Sequence, residues 1–418
     1  MRDGEIVGVG PAPRLRERHR GLSQRDLGPA VLTPGLVDAH CHLEWSLTAD
    51  LLPPGAFAEW LGGFLALRAR MRAEDHRAAA ALGALRALEC GTTTLADSGP
   101  TGAGAGALAA TGLRGLVHLE VFGTHEDAAA REAVARHAEA VAALDDDAGP
   151  LVAVGVSPHA PYTVGPALWR ALDAHPDLGA RPWATHLAES PEETALLASG
   201  DGGLAELFRR AGFRAARWPD GGGSPVARLA AAGALREGLI AAHCVQLEPG
   251  DPERLAASGV GVAHCPQSNA RLRCGRAPLE RLAAAGAAVG LGSDSPGSAG
   301  AYDLRAEARA CALVHGAAGH EPPDAAALLR LATLGGARAL GLEDRVGSLS
   351  AGKRADLVAF DPAPGTEPGD PAAVALDPRS SVRLAMVDGR VVLDEDGPAL
   401  VARAEVLDRA SGARSGLC

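Results

Sequence analysis

Residues 37–46 read VDAHCHLEWS, in which two histidines stand two positions apart at the end of an apolar run. In a β-strand, residues at i and i+2 point to the same face, so His40 and His42 are expected to project side by side. Two imidazoles placed in this way can bind one metal ion. The stretch therefore predicts a strand that ends in a metal site, and the remaining ligands have to come from elsewhere in the chain.

Seven further apolar runs follow, separated by Ala-, Leu- and Arg-rich segments with helical periodicity. This alternation is typical of strand-helix units around a parallel sheet. Eight such units close a (β/α)₈ TIM barrel, a fold of the α/β class. The eight runs are VLTPGLVDAH, TTTLADS, GLVHLEVFG, LVAVGVSPHA, RPWATHLAES, LIAAHCVQL, GVGVAHCPQS and AAVGLGSDS.

The two ends of the chain have a different pattern. GEIVGVG near the N-terminus, and VGSLSAGKRADLVAFD and SVRLAMVDGRVVL after the barrel, are alternating β-type runs with turn residues between them. We expect residues 1–33 and 340–418 to form a small composite β-sandwich domain, with the barrel over residues 34–339. Because the opening strand is abrupt, one or two further strands are expected to precede Met1 in the natural protein.

Composition narrows the class of protein. The 418 residues are 47% hydrophobic and 22% charged, which is ordinary for a globular chain. A net charge of −11, without Lys/Arg clusters interleaved with aromatic residues, argues against nucleic acid as a partner. No apolar stretch approaches the length of a membrane span or a signal core, and seven cysteines without a C-x-x-C pair indicate reduced thiols. We therefore expect a cytoplasmic protein.

Polar side chains end almost every run, and the C-terminal strand ends form the active-site face of such a barrel. Zinc in a catalytic site takes nitrogen and oxygen ligands and keeps one position open for water. The first strand would supply His40 and His42, the fifth His186 and the eighth Asp294. On the sixth strand, His243 is either a further ligand or the group that orients the water. The expected cofactor is one divalent ion, with Zn²⁺ favoured, although Fe²⁺ and Mn²⁺ accept the same ligands.

A carboxylate follows the fifth strand, where His186 and Glu189 form H-x-x-E in THLAES. A carboxylate in this place can reach both the water and a substrate nitrogen, as a general acid and base must. The alternative is a glutamate that only stabilises the start of a helix.

The motifs HCHLEWS, SPHAPYT, THLAESPEE, HC with CPQSN, and LGSDS occur in this order and are closed by GSLSAGKRADLVAFD. Together they resemble the amidohydrolase superfamily and, within it, the ATZ/TRZ-like aminohydrolases, which include chlorotriazine hydrolases and deaminases of adenosine-type nucleosides. The resemblance implies a mononuclear site with the four ligands above, in which His243 orients the water. It also implies that Glu189 passes a proton to the ring and then to the leaving group, while Asp294 takes the proton of the water.

Lysine usage agrees with a mononuclear site. Relatives that bridge two metals use a carboxylated lysine inside the barrel. The only lysine in this chain is Lys353, which lies beyond the eighth strand.

The fragment HLEWS followed by FAEWL, in which Phe57 and Trp60 would cover the mouth, resembles the 6-aminodeoxyfutalosine deaminases of the futalosine route to menaquinone. The resemblance implies attack of activated water at C6 of a 6-aminopurine nucleoside and release of ammonia. Such a substrate also carries a benzoate, and the guanidinium of Arg271 or Arg273 would bind its carboxylate through two parallel hydrogen bonds. The alternatives are adenosine, methylthioadenosine, S-adenosylhomocysteine, guanine or a chlorotriazine as substrate, and a non-catalytic metal-binding barrel.

Further substrate contacts are expected near the ligands. Glu44 would contact ribose hydroxyls or a purine nitrogen, and His159 would contact the substrate at the mouth. Ser268 and Asn269, after the seventh strand, would shape the site. A surface or structural role is the alternative for Glu44 and for His159. Relatives with the small β domain are commonly dimers or larger, which implies a homo-oligomer here as well.

Overall fold

The structure is a computed structural model, and it describes residues 1–123, 127–218, 223–364 and 369–417. Its strands, in chain order, are β1 (Val31–Pro34), β2 (Leu36–Cys41), β3 (Thr92–Gly99), β4 (Arg114–Val121), β5 (Val152–Pro158), β6 (Trp183–Leu187), β7 (Leu239–His243), β8 (Gly261–His264), β9 (Ala288–Leu291), β10 (Leu357–Asp361), β11 (Ser381–Val387), β12 (Arg390–Asp394) and β13 (Gly397–Pro398).

The helices connect these strands and cover the outside of the barrel. They are α1 (Ala12–Arg18), α2 (Phe57–Arg68), α3 (Ala73–Glu89), α4 (Gly104–Thr111), α5 (Asp127–Ala148), α6 (Pro166–Asp173), α7 (Pro191–Ser199), α8 (Gly203–Ala211), α9 (Pro225–Ala231), α10 (Asp251–Ala257), α11 (Pro266–Arg271), α12 (Leu279–Ala284), α13 (Leu304–Ala317), α14 (Ala325–Arg330), α15 (Gly336–Ala339), α16 (Pro371–Leu376) and α17 (Arg403–Ser415). Two 3₁₀ turns, Leu43–Thr48 and Leu178–Ala180, and one π-helical turn, Leu331–Gly335, complete them. No helix in the described part of the chain is both long and apolar enough to cross a membrane.

Strands β2 to β9 form one eight-stranded parallel sheet in which each strand pairs with the next along the chain. The sheet closes where the end of β2 meets the residues after β9. There the His42 N–H donates to the Asp294 carbonyl at 3.2 Å, and the Asp294 N–H donates to the His40 carbonyl at 3.0 Å. The predicted (β/α)₈ barrel is confirmed, and its seam lies at three of the predicted metal ligands.

The first apolar run contains two strands and not one. Val31–Pro34 pairs antiparallel with β10, and Leu36–Cys41 enters the barrel beside β3. Gly35 separates them, and its N–H donates to the Asp356 carbonyl at 3.0 Å. A Cβ at Gly35 would overlap the side chain of Thr93, so only glycine lets the chain change sheets at this point.

The terminal segments form a five-stranded antiparallel sheet in the order β1, β10, β11, β12, β13. The chain then leaves this sheet, and α17 lies against α3 on the outside of the barrel. Arg403 pairs with Glu89 at 2.6 Å, and Arg414 donates to the Ala49 carbonyl at 2.7 Å.

A buried ion pair joins the terminal sheet to the barrel. Arg114 opens β4 and places its Nε 2.7 Å from Asp356 Oδ2 and its Nη2 3.0 Å from Asp356 Oδ1, a bidentate pair. The same Nη2 lies 3.2 Å from Asp388 Oδ1. Because both Arg114 and Asp356 are buried, each depends on the other to offset the loss of water.

Candidate metal centre and active site

The predicted ligands meet at the C-terminal end of the barrel. The Nε2 atoms of His42 and His186 are 3.1 Å apart, and Asp294 Oδ1 lies 3.5 Å from His42 Nε2 and 4.0 Å from His40 Nε2. His40, His186 and His243 form an overlapping group whose ligand atoms all lie within 4.8 Å of one another.

The histidine rings are held so that their Nε2 atoms face inward. The Nδ1–H of His42 donates to the Ser98 carbonyl at 2.7 Å, and the Nδ1–H of His186 donates to the His159 carbonyl at 2.8 Å. In neutral rings the Nε2 lone pairs then face each other, an arrangement that a cation between them would stabilise. His40 Nε2 is buried and has no hydrogen-bond partner within the described residues. The donor set therefore fits a divalent metal ion.

Burial keeps these imidazoles uncharged. It lowers the pKa of His42, lowers the pKa of His40 and His186 well below the usual range, and lowers the pKa of His243 to about 4. Metal ligation requires neutral imidazole, so at neutral pH no proton has to be displaced from these rings.

Left-handed backbone turns place several of these side chains. φ is +76° at His243, which ends β7, +55° at Asp294 after β9, and +52° at Ala188 between His186 and Glu189. Such conformations are unfavourable for residues other than glycine and are concentrated at functional sites.

The turn that carries Glu189 is held by the start of α7. Ser190 caps this helix by accepting the Glu193 N–H at 3.1 Å, and Pro191 occupies its first turn. The Glu193 carboxylate in turn accepts the N–H groups of Ala188 at 3.1 Å and Glu189 at 2.7 Å. The position of Glu189 is therefore set by the chain around it.

Glu189 faces the histidine cluster. Its Oε1 lies 3.7 Å from His243 Nε2, and only 4% of the residue is exposed. Burial, and the nearby charges of Asp294 and Glu193, raise the pKa of Glu189 well above its usual value. The side chain can therefore carry a proton at neutral pH, as a general acid must.

Asn269 lies behind His243. Its Nδ2 donates to His243 Nδ1 at 3.1 Å, and 1% of the residue is exposed. With Nδ1 accepting, the proton of the neutral imidazole sits on Nε2. Such an Nε2–H can hold a water oxygen, which suits the water-orienting role predicted for His243.

The other predicted substrate contacts occupy different surroundings. Glu44 is buried in the 3₁₀ turn after β2, where it accepts hydrogen bonds from the hydroxyl and the N–H of Thr101. His159 lines the cavity above the cluster and bonds the Thr163 hydroxyl at 2.8 Å. Ser268 is fully buried, and its hydroxyl has no partner within the described part of the chain. Arg271 ends α11, and its carbonyl accepts the Gly55 N–H at 3.2 Å.

A cavity of about 910 Å³ opens above the cluster and contains the side chains of His42, His186, Glu189 and Asp294 in its wall. Its wall is strongly aromatic, because five of the six phenylalanines of the chain contribute to it, together with Trp45 and Trp60. The phenylalanines are Phe57, Phe64, Phe122, Phe208 and Phe213.

Three further charged residues line this wall. Glu120, the residue before the last one of β4, belongs to a group with His42 and His186, and it is one of the polar residues that the sequence places at a strand end. Arg68 and Arg214 also line the cavity, and sequence reasoning missed them. Nothing in the sequence separates Arg68 or Arg214 from the other arginines.

Comparisons with known proteins agree with this architecture. Residues 31–392 match the Amidohydrolase family. The chain is 33% identical over 407 residues to a 5-methylthioadenosine/S-adenosylhomocysteine deaminase of Syntrophobacter fumaroxidans, which covers 94% of this chain and 87% of that protein.

Solved structures show the same fold. An adenosine deaminase from Xanthomonas campestris with bound zinc matches at a TM-score of 0.84 and 28% identity, over 99% of this chain and 92% of that one. Atrazine chlorohydrolase from Arthrobacter aurescens, complexed with zinc, matches in fold at a TM-score of 0.78 and 23% identity, over 99% of this chain and 94% of that one. The resemblance in the motifs is confirmed: the chain belongs to the amidohydrolase family and is a hydrolase that acts on C–N bonds.

Proposed function

We propose that this protein is a metal-dependent aminohydrolase that converts a 6-aminopurine nucleoside to the 6-oxo compound and ammonia. One observation carries the proposal: Glu189, a buried carboxyl whose pKa burial raises well above its usual value, stands beside His243 and the ligand cluster in the wall of one cavity. The names of the relatives, which are deaminases of methylthioadenosine, S-adenosylhomocysteine and adenosine, support it.

His40, His42, His186 and Asp294 would hold the metal ion, and Zn²⁺ suits them best. A bound divalent cation supplies Lewis acidity, which lowers the pKa of water and makes a nucleophile available at neutral pH.

The remaining chemistry falls to the side chains. His243 positions the water by its Nε2–H as the water oxygen adds to C6 of the purine. Glu189 gives its proton to the adjacent ring nitrogen, so that negative charge does not build up on the ring. Asp294 accepts the water proton through its carboxylate, whose Oδ2 is held by the Ser298 hydroxyl at 2.9 Å. The proton held by Asp294 then passes through Glu189 to the amine, the C–N bond breaks and ammonia leaves. As the C6 carbonyl forms, the proton of the C6 hydroxyl group returns to Glu189, so that both carboxyl groups end in their starting states.

Among such nucleosides, we infer that 6-aminodeoxyfutalosine is the preferred substrate, which would place the protein in cytoplasmic menaquinone synthesis. The aromatic wall and the arginines of the cavity support a substrate with an aromatic, anionic group. Methylthioadenosine and S-adenosylhomocysteine form the second candidate pair, because the sequence relatives carry their names.

The test is ammonia release by the zinc-loaded protein from aminodeoxyfutalosine, adenosine, methylthioadenosine, S-adenosylhomocysteine and guanine. Glu189→Gln is expected to keep its zinc and to lose about 10²- to 10⁴-fold in kcat. Glu192→Gln is the matched control, since Glu192 is a partly exposed glutamate in the first turn of the same helix. Full activity of Glu189→Gln, or no ammonia from any of these amines, contradicts the proposal.

A further inference from the structure

Arg68, the last residue of α2, presents a half-buried guanidinium to the cavity. Its Cζ lies 5.7 Å from the centre of the Trp45 ring and 5.8 Å from the centre of the Phe122 ring. At this range the two ring faces attract the cation and restrict its position. No carboxylate oxygen of the described residues lies within ion-pair distance of Arg68, and the carboxyl groups of Glu44 and Glu120 feel its charge only at longer range. The hydrogen bonds of the described residues likewise leave its guanidinium without an acceptor.

A continuous row of rings connects this guanidinium with the metal cluster. The Phe122 ring lies 4.7 Å from the His159 ring, and the His159 ring lies 4.8 Å from that of His186, one of the predicted ligands. Arg68 therefore stands two rings away from the reacting end of the cavity. A substrate whose amine lies at the cluster can place its far end against Arg68.

The neighbouring wall is flat and apolar. Trp45 packs edge-on against Phe64 at 5.0 Å, and Phe64 stacks on Trp60 at 5.2 Å with an interplanar angle of 11°. Stacked and edge-on rings of this kind offer surfaces on which another aromatic ring can lie.

We propose that Arg68 and this wall form a subsite for a carboxylate carried on an aromatic ring, at the end of the nucleoside opposite the amine. The assignment rests on the proposed function. A planar guanidinium binds a carboxylate through two parallel hydrogen bonds, and a guanidinium already held between two rings loses little freedom when it does so. A phosphate monoester fits less well, because it has no ring of its own at the charged end to lie against these aromatic side chains.

The test compares two substrates that differ only in this charge: a 6-aminopurine nucleoside that carries a benzoate, and its methyl ester. The wild-type protein is expected to prefer the acid. Arg68→Gln should lose about 10- to 100-fold in kcat/KM on the acid and stay within about twofold on the ester. Arg77→Gln, the same change at an exposed arginine of α3, should behave as wild type on both.

Three results would overturn the assignment. They are equal rates of the wild-type protein on acid and ester, equal losses of Arg68→Gln on both, and a preference for adenosine monophosphate over the benzoate that disappears in Arg68→Gln.

A binding measurement separates this subsite from the proposed reaction. Benzoate should quench the tryptophan fluorescence of the zinc-loaded protein, since Trp45 lies beside Arg68, and benzamide should not. The apparent Kd for benzoate should rise at least 10-fold in Arg68→Gln and stay unchanged in Arg77→Gln. If no aminopurine nucleoside is deaminated but this pattern holds, the proposed function fails and the carboxylate subsite stands. Equal quenching by benzoate and benzamide, or in wild type and Arg68→Gln, removes the subsite.

Discussion

Replacing Asn269 by leucine tests whether this residue acts on the substrate or on His243. The two side chains are similar in size, but leucine cannot donate to His243 Nδ1, which lies 3.1 Å from the amide nitrogen. A buried neutral hydrogen bond contributes about 0.5–1.5 kcal/mol, which is about 2- to 12-fold in the population of the held tautomer. Loss of ring orientation adds to this, and removal of such outer partners commonly costs about 10- to 100-fold in activity. We therefore expect kcat to fall about 10- to 100-fold.

Steady-state kinetics separate the two roles. If Asn269 only positions His243, KM of Asn269→Leu should stay within about twofold of wild type and the zinc content should not change. Gln267→Leu is the control, because Gln267 lies on the same helix and its side-chain amide donates to Glu307 and not to His243. Asn269→Asp should act through charge: a carboxylate beside Nδ1 raises the pKa of His243 from about 4, so the acidic limb of the rate profile moves to higher pH. A raised KM with an unchanged kcat would refute this account and restore Asn269 as a substrate contact.

Two further predictions concern stability. Asp356→Ala should lower the free energy of unfolding, measured by urea titration, by about 3–5 kcal/mol, because the buried Arg114 loses its bidentate partner. The control is Asp394→Ala, which removes an exposed ion pair and should lower the free energy of unfolding by at most about 1 kcal/mol. Equal effects of the two substitutions would contradict the argument. Burial raises the pKa of Asp97 to about 8, so the folded protein keeps a proton on this carboxyl group at pH values where the unfolded chain has lost it. The free energy of unfolding should therefore fall as the pH rises from about 4 through 8. Asp97→Asn should flatten that fall, and an unchanged pH slope would show that another group causes it.

The fold was predictable because the barrel leaves a strong pattern in the chain. All six residues of β2 are buried, as are all eight of β3 and all eight of β4, since a parallel sheet covered by helices hides both faces of its strands. The convergence of the ligands follows from the same geometry. His40 stands near the end of β2, His243 ends β7 and Asp294 follows β9, and parallel strands bring such positions to one edge.

Other features depend on contacts that no local pattern encodes. The run from Val31 to His40 looks like one strand, because its apolar character continues through the point where the chain passes from the terminal sheet to the barrel. The signals there are Pro34 and Gly35, a turn dipeptide, and the need for glycine depends on Thr93, a residue far along the chain. The position of Glu44 was equally hidden, since a 3₁₀ turn directs its carboxylate to Thr101.

The arginine prediction shows where reasoning along the chain stops. Arg271 and Arg273 were chosen because they follow PQSN, that is, because they are near the site in sequence. A guanidinium that lines the cavity, two rings from the cluster, comes from the end of α2, a helix between the first and second barrel strands. The role of Arg271 or Arg273 stays a prediction. The positions of the predicted metal ligands are set by the backbone at the strand ends. The positions of long side chains on the connecting helices depend on how those helices pack against the barrel. If Arg68 binds substrate as proposed, a change at Arg68 should alter which substrate is turned over while the ligand cluster stays the same, because function depends on side chains placed on a fold and not on the fold itself.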